Sequence, residues 1–191
     1  MSGVMVIGIG NPLRGDDGLG WHVAQRLHET IDAHQVDDHQ VDNREAGGGE
    51  VNDREADEVT VMARHQLTPE LADAVSRASL VLFVDARENE EPGNVRCESV
   101  DPDPSTAMAF THQMDPVGLL SCAKALYGSC PPAFSLSIAG EDFGYAEVLS
   151  DTVHAAIPDL MRRLGELITA GRRRGMERGI ETGEIGRCET L

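Results

Sequence analysis

The apolar run LVLFV at residues 80–84 constrains the fold of this 191-residue chain more than any other feature. Five consecutive apolar residues leave no polar face, which is typical of a central parallel strand covered by helices on both sides. A second run, VMVIGI at residues 4–9, has the same character. The two runs together predict a parallel sheet buried between two layers of helices.

Strand-like and helix-like segments alternate along the chain, as they do in βαβ units. The pattern predicts strands at 4–9, 59–62, 80–84 and 134–138, an edge strand at 95–100, and helices that begin near Leu19, Thr68, Asp115 and Ser150. We therefore expect an α/β fold, with a single domain over residues 1–171. This domain should be a three-layer sandwich, with a twisted, mostly parallel sheet between helices.

Two segments do not follow this alternation. Residues 29–58 hold eleven acidic and two basic side chains, with a run of three glycines in the middle. Dense like charge and few apolar groups cannot offset the entropy of ordering, so an acidic, disordered insert is expected at about 31–58. Residues 172–191, rich in arginine and glycine, are expected to form a flexible tail.

The overall charge excludes two classes of partner. Thirty-three acidic residues against sixteen basic ones give a net charge of -17, which repels nucleic acid and anionic membranes. No apolar run approaches the roughly 18 residues that a membrane span needs, and no secretory signal is visible. The four cysteines show no C-x-x-C spacing, so a cytoplasmic protein with reduced thiols is expected.

The turn GIGNPLRGDDGLG, at residues 8–20, follows the first strand. It lacks the third glycine of a dinucleotide fingerprint, since Leu13 stands there, and it lacks the Gly-Lys-Ser/Thr of a P-loop. A nucleotide-binding module is therefore disfavoured. Two interpretations of Asp16 and Asp17 remain open. Either both charges interact favourably with the positive end of the helix that follows, or one of the carboxylates is directed at a cation.

Three further residues are candidates at the same edge of the sheet. Asp85 ends the central apolar run, where it either caps a turn or faces a ligand. His112 precedes the helix near Asp115, and His65 has a similar setting and is its rival. Two carboxylates and an imidazole, Asp17, Asp85 and His112, match a divalent metal site with open positions. A resident-zinc hydrolase is disfavoured, because no His-Glu-x-x-His or similar tight spacing exists.

The turn sequence resembles the signature of the hydrogenase maturation proteases. These endopeptidases trim the C-terminus of the [NiFe]-hydrogenase large subunit. The resemblance continues through RHQLTPELADAVSRA, LVLFVDA, THQMDPVGLLSCAKALYG and SLSIAGEDFGYAEVLSDTV, and it covers most of residues 4–168. It omits the acidic insert and the tail. The segment HQLTPEL at 65–71 resembles most the branch that serves bidirectional, NAD-linked hydrogenases.

The resemblance implies a function and a set of site residues. Asp17, Asp85 and His112 match the metal-contacting positions of the family, and Asp17 and Asp85 are also the candidate catalytic residues. The supporting residues of the turn are Gly8, Gly10, Asn11, Asp16 and Gly18. The family is grouped with the aspartic-type endopeptidases, and its members dock on nickel already loaded in the precursor. Nickel is thus supplied by the large-subunit precursor, no tightly bound resident cofactor is expected, and the chain is expected to be a monomer. The alternative function is a nickel-dependent assembly checkpoint or chaperone that binds the precursor without cleaving it.

Overall fold

The computed structural model describes residues 3–37, 59–103, 105 and 114–177, and within them it contains one five-stranded sheet with helices on both faces. The strands are β1 (Val4–Ile9), β2 (Val59–Arg64), β3 (Leu80–Arg87), β4 (Val95–Ser99) and β5 (Ala133–Ala139). The α-helices are α1 (Leu19–Asp37), α2 (Leu71–Arg77), α3 (Pro116–Tyr127) and α4 (Asp151–Glu177). A 3-10 helix, Gly15–Gly18, immediately precedes α1.

The strand order in the sheet is β2-β1-β3-β5-β4. All neighbouring strands are parallel except β4, which is antiparallel to β5 and forms one edge. Both apolar runs occupy inner positions, since β1 lies between β2 and β3, and β3 lies between β1 and β5. The predicted α/β sandwich with a mostly parallel central sheet is therefore confirmed.

Alternate residues of each inner strand enter opposite cores, as the two-residue period of a strand requires. One core lies against α1 and α4 and includes these residues of the sheet: Val4, Val6, Leu80, Leu82, Val84, Leu136 and Ile138. The other lies against α2 and α3 and includes Met5, Ile7, Ile9, Val81 and Phe83 from the sheet. Burial on both faces explains why the apolar runs of β1 and β3 have no polar side.

Two of the predicted helix starts are confirmed by their capping contacts. The Asp115 carboxylate accepts a hydrogen bond from the Gly118 amide at 2.7 Å, and Pro116 is the first residue of α3. The Ser150 hydroxyl accepts one from the Val153 amide at 3.3 Å, at the start of α4.

The predicted N-cap of α2, Thr68, is wrong by two residues, since Glu70 occupies that position. The helix begins at Leu71, whose amide donates to the Thr68 carbonyl at 3.1 Å, so Thr68 opens a turn before the helix. The next amide, that of Ala72, donates to the Pro69 carbonyl at 3.0 Å, and the N-cap residue Glu70 makes no side-chain capping bond. Both backbone bonds span three residues, as in a 3-10 turn, so the α-helix begins only at Leu71.

The helices extend into both segments that were predicted to lack structure. Helix α1 continues to Asp37, so the first seven residues of the predicted insert are helical. Helix α4 continues to Glu177, six residues into the predicted tail. Residues 38–58 and 178–191 lie outside the described residues. Within the described part of the chain, no helix combines the length and the apolar character that crossing a membrane requires.

Candidate active site

The candidate site lies where β1 and β3 reach the carboxyl edge of the sheet, the edge at which open α/β sheets bind ligands. The turn that follows β1 carries Asp16 and Asp17 in the 3-10 helix. Asp85 lies within β3, which continues two residues beyond it, and it is paired in register with Ser137 of β5. The sequence predicts Asp85 at the end of the strand, and the structure places it two residues before that end.

Gly10 makes the tight turn after β1 possible. Its φ of 126° lies in the region that favours glycine, and a Cβ atom there would overlap the carbonyl oxygen of Asp17. Its amide donates to the Arg64 carbonyl at 3.0 Å, and its carbonyl accepts from the Trp21 indole N–H at 2.8 Å. These bonds fix the turn between β2 and α1. Gly8 serves a different purpose, since a Cβ there would overlap the backbone of Gly20 in α1.

Asp16 is fully buried and fastens a distant loop to the turn. Its two carboxylate oxygens accept the amides of Glu141 (2.8 Å), Asp142 (2.9 Å) and Ser150 (2.7 Å), together with the Ser150 hydroxyl at 2.9 Å. Burial alone would raise the pKa of Asp16. The amides of Asp142, Ser150 and Glu141 and the Ser150 hydroxyl outweigh burial and lower the pKa. Because protein donors occupy both of its carboxylate oxygens, Asp16 fastens the turn and is not available to a ligand.

Asp17 has the opposite setting. Its side chain is 24% exposed, and its Oδ2 atom accepts the Asn11 amide at 3.0 Å and lies 4.0 Å from the Arg14 guanidinium. Within the described residues, Oδ1 accepts no hydrogen bond. Asn11 in turn orders the loop, because its own side-chain oxygen accepts the Leu13 amide at 3.0 Å. Asp17 is therefore held by one oxygen and presents the other.

Asp85 lies close enough to Asp17 for the two charges to interact. Burial first, and the negative charge of Asp17 to a smaller extent, raise the pKa of Asp85 to about 7, against the opposing hydrogen bond from the Ala86 amide at 2.8 Å. A carboxyl with this pKa exchanges its proton near neutral pH. A cation bound between Asp17 and Asp85 would favour the ionised form of Asp85 and would therefore lower its pKa.

The structure describes two of the three predicted ligands. Asp17 and Asp85 are near enough for their charges to interact, and His112 lies outside the described residues. Two residues after it, Met114 forms an antiparallel bridge with Leu67, so the chain that follows His112 is fastened beside the segment that follows His65. His65 is exposed, and its ring packs against Trp21 with centroids 5.2 Å apart. Among the described residues, no three His, Cys, Asp or Glu side chains are grouped to hold a metal ion.

Two features of this region are absent from the predictions made on sequence. Residues 141–150 form a loop that Asp16 binds, and the amides of Gly15 and Asp16 also donate to carbonyls of this loop at 2.8 Å. Ser150 was predicted only as a helix cap, yet it also donates to Asp16. The signal available in the sequence was the glycine-rich stretch GEDFGY between the last strand and the last helix.

Fold and site together define an α/β sandwich with a carboxylate pair at the carboxyl edge of its sheet. No protein-family model matches the sequence, and no curated protein matches it significantly. Solved structures do match, and this chain has the fold of the hydrogenase maturation endopeptidases.

Three solved structures illustrate the similarity. The hydrogenase maturating endopeptidase HybD from E. coli is 20% identical, with 88% of this chain and 94% of that chain covered and a TM-score of 0.59. The [NiFe] hydrogenase maturation protease HybD from Thermococcus kodakarensis is 18% identical, with 87% and 99% covered and a TM-score of 0.60. The [NiFe] hydrogenase maturation protease HycI from Thermococcus kodakarensis KOD1 is 22% identical, with 88% and 93% covered and a TM-score of 0.58. At these identities the comparison establishes the fold.

Proposed function

We propose that this protein is an endopeptidase that removes the C-terminal extension of a [NiFe]-hydrogenase large-subunit precursor after nickel insertion. One observation carries the proposal: Asp17 and Asp85 form a charge-coupled pair at the carboxyl edge of a sheet. The surrounding fold is the one found in proteins named as hydrogenase maturation endopeptidases. Because proteins that share a fold can carry out different reactions, the proposal depends mainly on this carboxylate pair.

The nickel ion belongs to the substrate. Asp17, with one oxygen unused within the described residues, and Asp85 supply two ligands, and His112 supplies the third. Three protein ligands leave open positions, so the coordination is completed by groups of the precursor that already hold the nickel. The protein therefore needs no resident metal, and it acts as a monomer on a loaded precursor. The segment HQLTPEL at 65–71 favours a bidirectional, NAD-linked hydrogenase as the source of that precursor.

The two carboxylates are also the proposed catalytic residues. Without a cation the pKa of Asp85 is raised to about 7, so the nickel that the precursor brings converts Asp85 to the ionised form that coordinates it. Asp17, which is fastened by the Asn11 amide, keeps its carboxylate in place for the same ion. Two carboxylates at the centre of the site fit the aspartic-type grouping of the peptidase.

The proposal is tested by mass spectrometry of the precursor. Nickel-loaded and nickel-free large-subunit precursors are incubated with metal-stripped enzyme, and loss of the extension is expected only for the loaded form. Asp85→Asn and His112→Ala should each lower the rate at least about a hundredfold. Asp73→Asn changes an exposed carboxylate on α2, so it serves as the control and should process normally. Stable binding of the loaded precursor with unchanged mass would instead establish the checkpoint or chaperone function, and equal cleavage of both precursors would contradict recognition of nickel.

A further inference from the structure

A groove with a volume of about 600 Å³ runs beside the candidate site. Helix α1 forms one wall with Trp21 and Gln25, β2 contributes Ala63, and the turn and the 141–150 loop contribute Leu13 and Glu147. We call it the α1 groove. Its volume lies within the range of about 300–1,000 Å³ that is usual for ligand-binding clefts.

The α1 groove and Asp17 share one turn. Leu13 precedes Asp17 by four residues, and Trp21 follows it by four. Gly18, next to Asp17, packs against the groove wall: a Cβ there would lie 3.1 Å from the Cα of Pro12 and 3.8 Å from the ring of His22. A chain bound in the groove is therefore led towards Asp17 and Asp85.

The two segments that bring Leu13 and Glu147 to the α1 groove also expose apolar side chains. Leu13 itself is 44% exposed, and on the loop that carries Glu147, Tyr145 is 85% and Val148 is 71% exposed. These are three of the five large apolar side chains that the described residues expose. The Ala146 amide donates to the Leu13 carbonyl at 3.2 Å, so the loop is joined to the turn before any partner arrives. Exposed apolar side chains on preformed segments favour contact with another protein.

The charge on the groove wall is negative and carried by one side chain. Glu147 makes no ion pair with any described residue, and the exposed Glu141 and Asp142 flank it on the same loop. Burial lowers the pKa of His22, and the nearby Arg26 and His154 lower it further, so this ring is uncharged at neutral pH. The groove therefore complements a basic group with apolar neighbours.

We propose that the α1 groove binds the C-terminal extension of the precursor as an extended peptide segment. A basic side chain of the extension faces Glu147, and an apolar side chain lies between Leu13 and Trp21. The groove thus selects the substrate by the sequence beside the cleaved bond, while the carboxylate pair recognises the nickel ion. This inference rests on the proposed function.

Binding is measured through Trp21, because it is the only tryptophan of the chain and it lines the groove. The probe is a synthetic peptide with the sequence of the extension, taken from the large subunit of the same organism. We expect a saturable change in Trp21 emission. Glu147→Gln should weaken binding about tenfold, as should a peptide whose basic residues are replaced by glutamine, and the two changes combined should cost no more than either alone. An absent emission change, or additive losses, would overturn the proposal.

Matched variants separate the α1 groove from general surface effects. Glu98→Gln removes an exposed carboxylate from the edge strand β4, and Leu126→Asp changes a 60% exposed leucine on α3. Both should leave peptide binding unchanged, whereas Leu13→Asp should weaken it about tenfold, as Glu147→Gln does.

Cleavage of the loaded precursor distinguishes failure of this inference from failure of the proposed function. Leu13→Asp and Glu147→Gln should raise KM about tenfold and leave kcat within about twofold, because the groove binds a part of the substrate away from the reacting bond. If the unmodified enzyme cleaves and these variants match their controls, the groove assignment is wrong and the proteolytic function stands. If the unmodified enzyme leaves the mass unchanged, the proteolytic function fails, and the peptide titration alone decides the groove.

Discussion

Replacing Asp85 with asparagine should stabilise the protein at neutral pH while abolishing its activity. The variant keeps the size of the side chain and its hydrogen bond with the Ala86 amide, but it removes a negative charge that is half-buried beside Asp17. In the parent protein, burial first and the Asp17 charge second raise the pKa of Asp85 to about 7 from its ordinary value of 3.8. Ionising this group in the folded state therefore costs stability.

The size and the direction of the effect follow from proton linkage. Between these two pKa values the folded chain retains a proton that the unfolded chain has released, so the parent protein loses stability as the pH rises. Each pKa unit corresponds to about 1.4 kcal/mol, which sets a ceiling of about 4 kcal/mol above pH 7 for the values 3.8 and about 7. Since Asp85 keeps some contact with solvent, we expect about 2 to 4 kcal/mol.

The assay is urea unfolding followed by circular dichroism at several pH values. The advantage of Asp85→Asn in free energy of unfolding should grow by about 2 kcal/mol between about pH 5.5 and pH 8. Asp73→Asn, which removes a carboxylate exposed on α2 and paired with Arg77, should change stability by less than about 1 kcal/mol at every pH. A constant difference between Asp85→Asn and the parent across this range would refute the reasoning, as would a less stable variant at pH 8.

The remaining predictions concern the turn. Asp16→Asn should destabilise the fold by about 2 to 4 kcal/mol in urea unfolding, because an amide N–H₂ would face the donors from Ser150 and the 141–150 loop. Since the pKa of Asp16 is lowered, its contribution is present above the unfolded value of 3.8 and is lost as the pH falls through the folded pKa. An Asp16→Asn effect that stays constant as the pH falls from neutral to below the folded pKa would contradict this. Gly10→Ala should cost at least about 3 kcal/mol by the same measurement, because its Cβ would overlap the Asp17 carbonyl and its φ is positive. The matched Gly165→Ala, on an open position of α4, should instead stabilise by about 0.5 to 1 kcal/mol.

Local patterns were sufficient to predict most of the fold. The apolar runs of β1 and β3 predicted helices on both faces of the sheet, and the capping residues Asp115 and Ser150 predicted the starts of α3 and α4. Errors arose at element ends, where neighbouring contacts decide. Helix α2 begins late because Thr68 and Pro69 belong to a turn closed by backbone bonds, and α1 continues to Asp37, into the predicted insert.

The sequence by itself determined the α/β class, the parallel sheet and the presence of carboxylates at its carboxyl edge, since the periodicity and the alternation of elements along the chain depend on local residue type. Residue type alone did not distinguish Asp16 from Asp17, and only the family resemblance assigned metal contact to Asp17 and a supporting role to Asp16. The tertiary structure supplies the physical reason for a difference, since it brings amides more than 120 positions away onto Asp16 and, among the described residues, leaves one oxygen of Asp17 without a donor. The raised pKa of Asp85 and the α1 groove were likewise decided in three dimensions. Burial, charge proximity and cavity shape are set by segments that are distant in sequence and meet only when the chain has folded.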